Sequence, residues 1–124
     1  MNFSSIENDF AQFHIRDGVM FFTYKPDIEI DLDGAKRIVA DRLKLQGEET
    51  YPVVCDIRGL KGANKAARDY LANEGSEKVK VVALIVASPG LKIMTDFYLM
   101  VNKPTVPTKI FTSEDQAVKF IESL

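Results

Sequence analysis

Two short runs over positions 11–24 alternate apolar and polar residues around Arg16, Asp17 and Gly18, with Phe13 and Ile15 on one face and Gln12, His14 and Arg16 on the other. Asp-Gly between such runs signals a hairpin, since both residues tolerate the positive φ of its tight turn. The period then lengthens. Beyond Lys25-Pro26, Asp31 is placed to cap a helix that carries Leu32, Ala35, Ile38, Val39 and Leu43 on one face, and Gly47 closes it. Positions 52–57 read as a buried strand, 63–73 as a helix ending near Gly75, and 79–87 as a second strand, apolar apart from Lys80. Pro89 suits the first turn of a helix that continues through 91–102, where Lys103-Pro104 stops it. A short strand is expected over 108–111. Ser113, with Gln116 three residues on, makes a capping box for a last helix striped by Ala117, Val118, Ile121 and Leu124. The predicted order is β-β-α-β-α-β-α-β-α, one α/β domain over residues 1–124. Such alternation predicts a mixed, mostly parallel five-stranded sheet, with the opening hairpin supplying the antiparallel strand.

Composition narrows the partners. A chain of 124 residues, 46% hydrophobic and 27% charged with a formal net charge of -2, is long enough for one core and too acidic to follow phosphate backbones. No nucleic acid is expected. No apolar run approaches the roughly 20 residues of a membrane helix, so no membrane insertion is expected. The opening MNFSSIENDF lacks the basic and apolar regions of a signal peptide, and the one cysteine, Cys55, cannot form an internal disulfide. A reducing, cytoplasmic setting is the expectation.

In an open α/β sheet, ligands bind outside the carboxyl ends of the strands, where helix N-termini present free amides. That edge should carry Lys25, Asp56, Arg58, Lys61, Ser88, Thr112 and Ser113. Gly59 and Gly62 let the backbone turn. Lys61 and Lys65 put positive charge beside the helix start near Asn64. The candidate ligand site is therefore Asp56, Arg58, Lys61, Gly62, Asn64, Lys65 and Ser88, suited to a small anion. The plainer reading, preferred here, is a tight connection shaped by two glycines and flanked by solvated lysines. Asp56 is expected to bond the amides of its own turn.

No catalytic residue, cofactor or metal is expected. His14 and Cys55 are the residues that could pair as base and nucleophile, but one lies on the polar face of the hairpin and the other inside an apolar strand. The acidic residues Asp27, Glu29, Asp31 and Asp33 stand at the approach and first turn of a helix, where its dipole favours negative charge. In the helix over 91–102, Lys92, Thr95 and Asp96 form a narrow polar stripe, and Met94, Phe97 and Val101 are expected to face the core. Leu99 falls within the polar stripe, flanked by Tyr98 and Met100. Together with Leu91 these are the candidate interaction surface.

The segment YPVVCDIRGLKGANKAARDYLAN over 51–73, with its strand, glycine-bearing turn and helix, resembles the STAS family, the SpoIIAA-like fold of the sporulation anti-sigma factor antagonist. The phrases DIRGLKG, ARDYLA, VVALIVASP and NKPTVPTKIFT resemble an uncharacterised bacterial group of small stand-alone STAS-like proteins. More distantly, the fold resembles the lipid-binding domain of the Sec14 type, without its helical lid. The STAS resemblance implies a regulatory serine at the helix start, and a protein partner bound by the unphosphorylated form. Here Ala63, Asn64 and Lys65 stand at that position, so the serine has no counterpart and no phosphorylation switch is expected. The functional expectation is a non-enzymatic interaction module that binds a protein partner or itself as a homodimer. The alternative is a small-ligand binder holding an anion, nucleotide or lipid head group at the carboxyl edge.

Overall fold

The computed structural model describes residues 5–124. The hairpin forms as its pattern requires: β2 (Ala11–Arg16) and β3 (Val19–Tyr24) pair antiparallel, and Asp17 and Gly18 turn between them at φ 52° and 77°. A strand not foreseen precedes them. β1 (Ser5–Glu7) pairs antiparallel with β2, and Asn8 shapes the connection by accepting from the backbone N–H groups of Phe10 (2.8 Å) and Ala11 (3.0 Å).

Three strand–helix crossovers follow. Asp31 caps α1 (Leu32–Gln46), and Gly47 closes it at φ 62° by donating to the Leu43 carbonyl. β5 (Tyr51–Asp56) pairs parallel with β3, and β7 (Val79–Ile85) with β5. β8 (Thr108–Phe111) completes a six-stranded sheet in the order β1-β2-β3-β5-β7-β8. The expected class therefore holds, a mixed and mostly parallel α/β sheet, with more strands than the five expected.

Two further strands lie outside that sheet. β4 (Ile28–Ile30) and β6 (Leu60–Ala63) pair parallel as a small ribbon. The expected helix start at Ala63 is thereby corrected: Ala63 pairs with Ile30, and α2 (Lys65–Asn73) begins two residues later with Asn64 as its cap. A 3-10 turn, Glu74–Ser76, follows it.

Strand alternation sorts the core into two faces. Phe13, Phe22, Cys55 and Leu84 stand in register on one face, where Phe13 and Phe22 meet edge to face at 4.6 Å. Ala35 and Ile38 of α1, Ala67 of α2 and Leu91 of α3 (Pro89–Val101) pack there. Crossovers of one hand advancing in one direction place all their helices on the same side. The opposite face, with Phe21, Val54, Ala83 and Ile85, is covered by Ala117 and Ile121 of α4 (Glu114–Glu122).

Candidate functional site

At the carboxyl edge, the residues expected to seat an anion are mostly engaged with one another. Asp56 accepts from the Arg58 backbone N–H (3.0 Å), Nε (2.9 Å) and Nη2 (2.7 Å). Burial works to raise the Asp56 carboxyl pKa, but the hydrogen bonds and charge of Arg58 outweigh it and hold the carboxyl below its usual value. Lys65 pairs with Asp69 at 2.7 Å and Lys25 with Glu7 at 2.6 Å. Asn64 and Ser88 serve as caps, accepting from the amides of Ala67 (2.9 Å) and Leu91 (3.1 Å). Lys61 is exposed. Gly62 and Asn64 do share a shallow depression, but its charged walls are Glu29 and Asp31, the wrong sign for an anion.

Helix α3 is turned differently from its expected phase. Its inner face carries Leu91, Met94, Thr95 and Tyr98, with Thr95 buried at 3% exposure because its hydroxyl donates to the Leu91 carbonyl at 2.7 Å. The outer face carries Ile93, Phe97, Met100 and Val101 at 70%, 52%, 72% and 51% exposure. The expectation that Phe97 and Val101 face the core is thus corrected, as is the polar placement of Thr95. Among the candidate surface residues Met100 is exposed, whereas Leu91, Tyr98 and Leu99 are half-buried. Lys92 and Asp96 pair with each other at 2.9 Å, and the Arg68 guanidinium lies 5.9 Å from the Phe97 ring centre.

Between the sheet and helices α1, α2 and α3 lies a cavity of about 160 Å³. Phe22, Val53 and Leu84 line it from the sheet, and Met94, Thr95 and Tyr98 from α3. Arg42 and Arg68 also reach its wall. Sequence reasoning gave no sign of it, because it comes from how α3 meets the sheet rather than from any motif. Burial raises the pKa of Cys55, Tyr24 and Tyr98, which all line the cavity, so each stays protonated at neutral pH. His14 stacks on Phe21 at 4.9 Å, on the other face of the sheet from Cys55. Among the described residues no group of three or more His, Cys, Asp or Glu is placed to hold a metal ion. No helix among them is long and apolar enough to cross a membrane.

A family model described as a domain of unknown function, DUF7793, matches residues 13–124. The chain belongs to this family. The match runs from within β2 through α4, so β1 lies outside it while the cavity and the α3 face fall inside the family's domain. A solved structure described as an uncharacterised protein of the DUF3478 family with a SpoIIAA-like fold, from Shewanella loihica PV-4, is similar at 12% identity and a TM-score of 0.62. The match covers 90% of this chain and 91% of that one. The fold is SpoIIAA-like, as the resemblance in 51–73 implied. A protein of unknown function from Arthrobacter sp. FB24 is 25% identical over 87% of this chain and 95% of its own, with a TM-score of 0.33. No curated protein matches the chain.

Proposed function

We propose that the protein is a non-enzymatic STAS-like interaction module that binds through the outer face of α3, and that the occupant is a second copy of the chain. The observation carrying this reading is the stripe Ile93, Phe97, Met100 and Val101, each more than half exposed. Spaced at i, i+4, i+7 and i+8, these residues occupy one side of the helix over about 12 Å. Contiguous apolar surface of this kind marks a contact site more often than isolated apolar residues do. The flanking Lys92 and Asp96 neutralise each other, so the stripe meets its own two-fold copy without like-charge repulsion.

The non-enzymatic half of the reading is supported by Cys55 and His14, which point to opposite faces of the sheet, and by the raised Cys55 pKa, which leaves no thiolate nucleophile. At the helix start where the STAS switch would stand, Ala63, Asn64 and Lys65 carry no hydroxyl. An anion, nucleotide or lipid head group at the carboxyl edge draws less support, since Arg58 and Lys65 each already hold a carboxylate.

The test is sedimentation velocity of the wild type and Met100→Glu, with far-UV circular dichroism as the fold control. A wild type that passes from monomer to dimer as its concentration rises above the low micromolar range, and a mutant that stays monomeric and fully folded, are expected. Because Met100 is exposed, the substitution should change folding stability by no more than about 0.5 kcal/mol. A monomeric wild type across the accessible range overturns the reading.

A further inference from the structure

The cavity beneath α3 has a chemistry that the interaction surface does not use. Its volume of about 160 Å³ is close to that of engineered apolar cavities that take up a benzene-sized guest, and admits a body of roughly six to eight non-hydrogen atoms. Its walls are mainly apolar, and no Asp or Glu lines it. Two arginines do, and neither pairs with a carboxylate among the described residues. Arg42, 3% exposed, donates to the Gln46 side chain and to the Gly75 carbonyl at 3.2 Å. Arg68 donates to the Ala63 carbonyl at 2.7 Å and to Asn102 Oδ1 at 3.3 Å. All four acceptors are neutral, and the carboxylates that act on these charges, Glu77 on Arg42 and Asp69 on Arg68, stand outside the cavity wall. Among the other polar groups on the wall, the hydroxyls of Ser76, Thr95 and Thr108 donate to backbone carbonyls, and the phenols of Tyr24 and Tyr98 are hydrogen-bond donors suited to an anionic oxygen.

We propose that this cavity binds a small amphipathic monocarboxylate, its aliphatic or aromatic body between the sheet and α3 and its carboxylate at Arg68. Arg68 takes the carboxylate rather than Arg42 because it is half-buried and lies beside the exposed Phe97, at the solvent side of the cavity. A carboxylate there keeps part of its hydration, whereas at Arg42 it would lose nearly all of it. The more deeply placed Arg42 adds a favourable field across a medium of low polarity. The proposal stands on the cavity and its charges, independently of what covers the outer face of α3.

The probes are octanoate and its neutral counterpart 1-octanol, titrated into the full chain and followed through methyl NMR signals. Octanoate should saturably shift the methyl signals of Met94, Val82 and Leu84, with affinity about tenfold or more above that of 1-octanol, as for one charge-assisted contact. Arg68→Met, or Arg68→Gln should the first fold poorly, should bring octanoate down to the level of 1-octanol. Val82→Phe, which fills the cavity, should abolish binding of both. Equal affinity of octanoate and 1-octanol for the wild type would overturn the carboxylate assignment. Shifts confined to Ile93 and Met100, or no saturable shift at all, would overturn the site.

Discussion

Gly59 and Gly62 look alike in the sequence, two glycines of one turn, yet the chain needs them for different reasons. A Cβ on Gly59 would press against the Lys25 carbonyl and lie 2.8 Å from the Tyr24 carbonyl oxygen, both backbone atoms that cannot swing aside. At Gly62 no atom of the described residues, its chain neighbours aside, lies within 4 Å of that position. Gly59→Ala should therefore destabilise the fold by about 1–3 kcal/mol, as overpacking does, while Gly62→Ala changes stability by no more than about 0.5 kcal/mol. Urea midpoints of the two variants check this, and equal midpoints would refute the close approach. The legible residues were those whose role is local: Asp17-Gly18, Asp31, Gly47, Ser113 and the turn-bonding Asp56 each do what their own neighbours require. Thr95 was misread because a helical threonine can satisfy its hydroxyl on the preceding turn and then bury as an apolar residue would.

Among the elements, legibility followed the strength of the periodic signal. α1 and α4, polar on one side and apolar on the other, were placed correctly, except that α4 ends at Glu122 and Leu124, expected in its apolar stripe, lies beyond it at 72% exposure. α3 carries apolar residues around much of its circumference, so its pattern left the inward face undetermined, and the packing chose Leu91, Met94, Thr95 and Tyr98. β1, β4 and β6, of three or four residues each, are too short to show a period; β1 is fixed by folding back on β2, and β4 and β6 by pairing with each other across α1 and β5. Equally invisible was the strut inside α1. Gln46 accepts from the buried Arg42 and donates through Nε2 to the carbonyls of Glu49 (3.1 Å) and Lys78 (2.8 Å), tying the helix to the approach of β7. Gln46→Ala leaves those groups without their partner in a buried setting, and should cost about 2 to 3 kcal/mol. A lower urea midpoint at unchanged slope is the expected result. A loss below about 0.5 kcal/mol would mean that water replaces the amide at no cost.

For the molecule as a whole, strand order and crossovers leave the two sheet faces unequally covered: three helices on one, α4 on the other. α3 belongs to the crowded side and links the two proposals, since its inner residues wall the cavity while its outer residues face solvent. The central claim is that this outer face meets a second copy. Methionine methyl NMR with a soluble paramagnetic agent tests it within one sample, because Met100 is 72% exposed on the stripe and Met20 is fully buried in the core. As protein concentration rises from the low micromolar to the millimolar range, the Met100 methyl should lose its relaxation by the agent while Met20 stays protected throughout. A Met100 methyl equally accessible at every concentration would contradict pairing through α3.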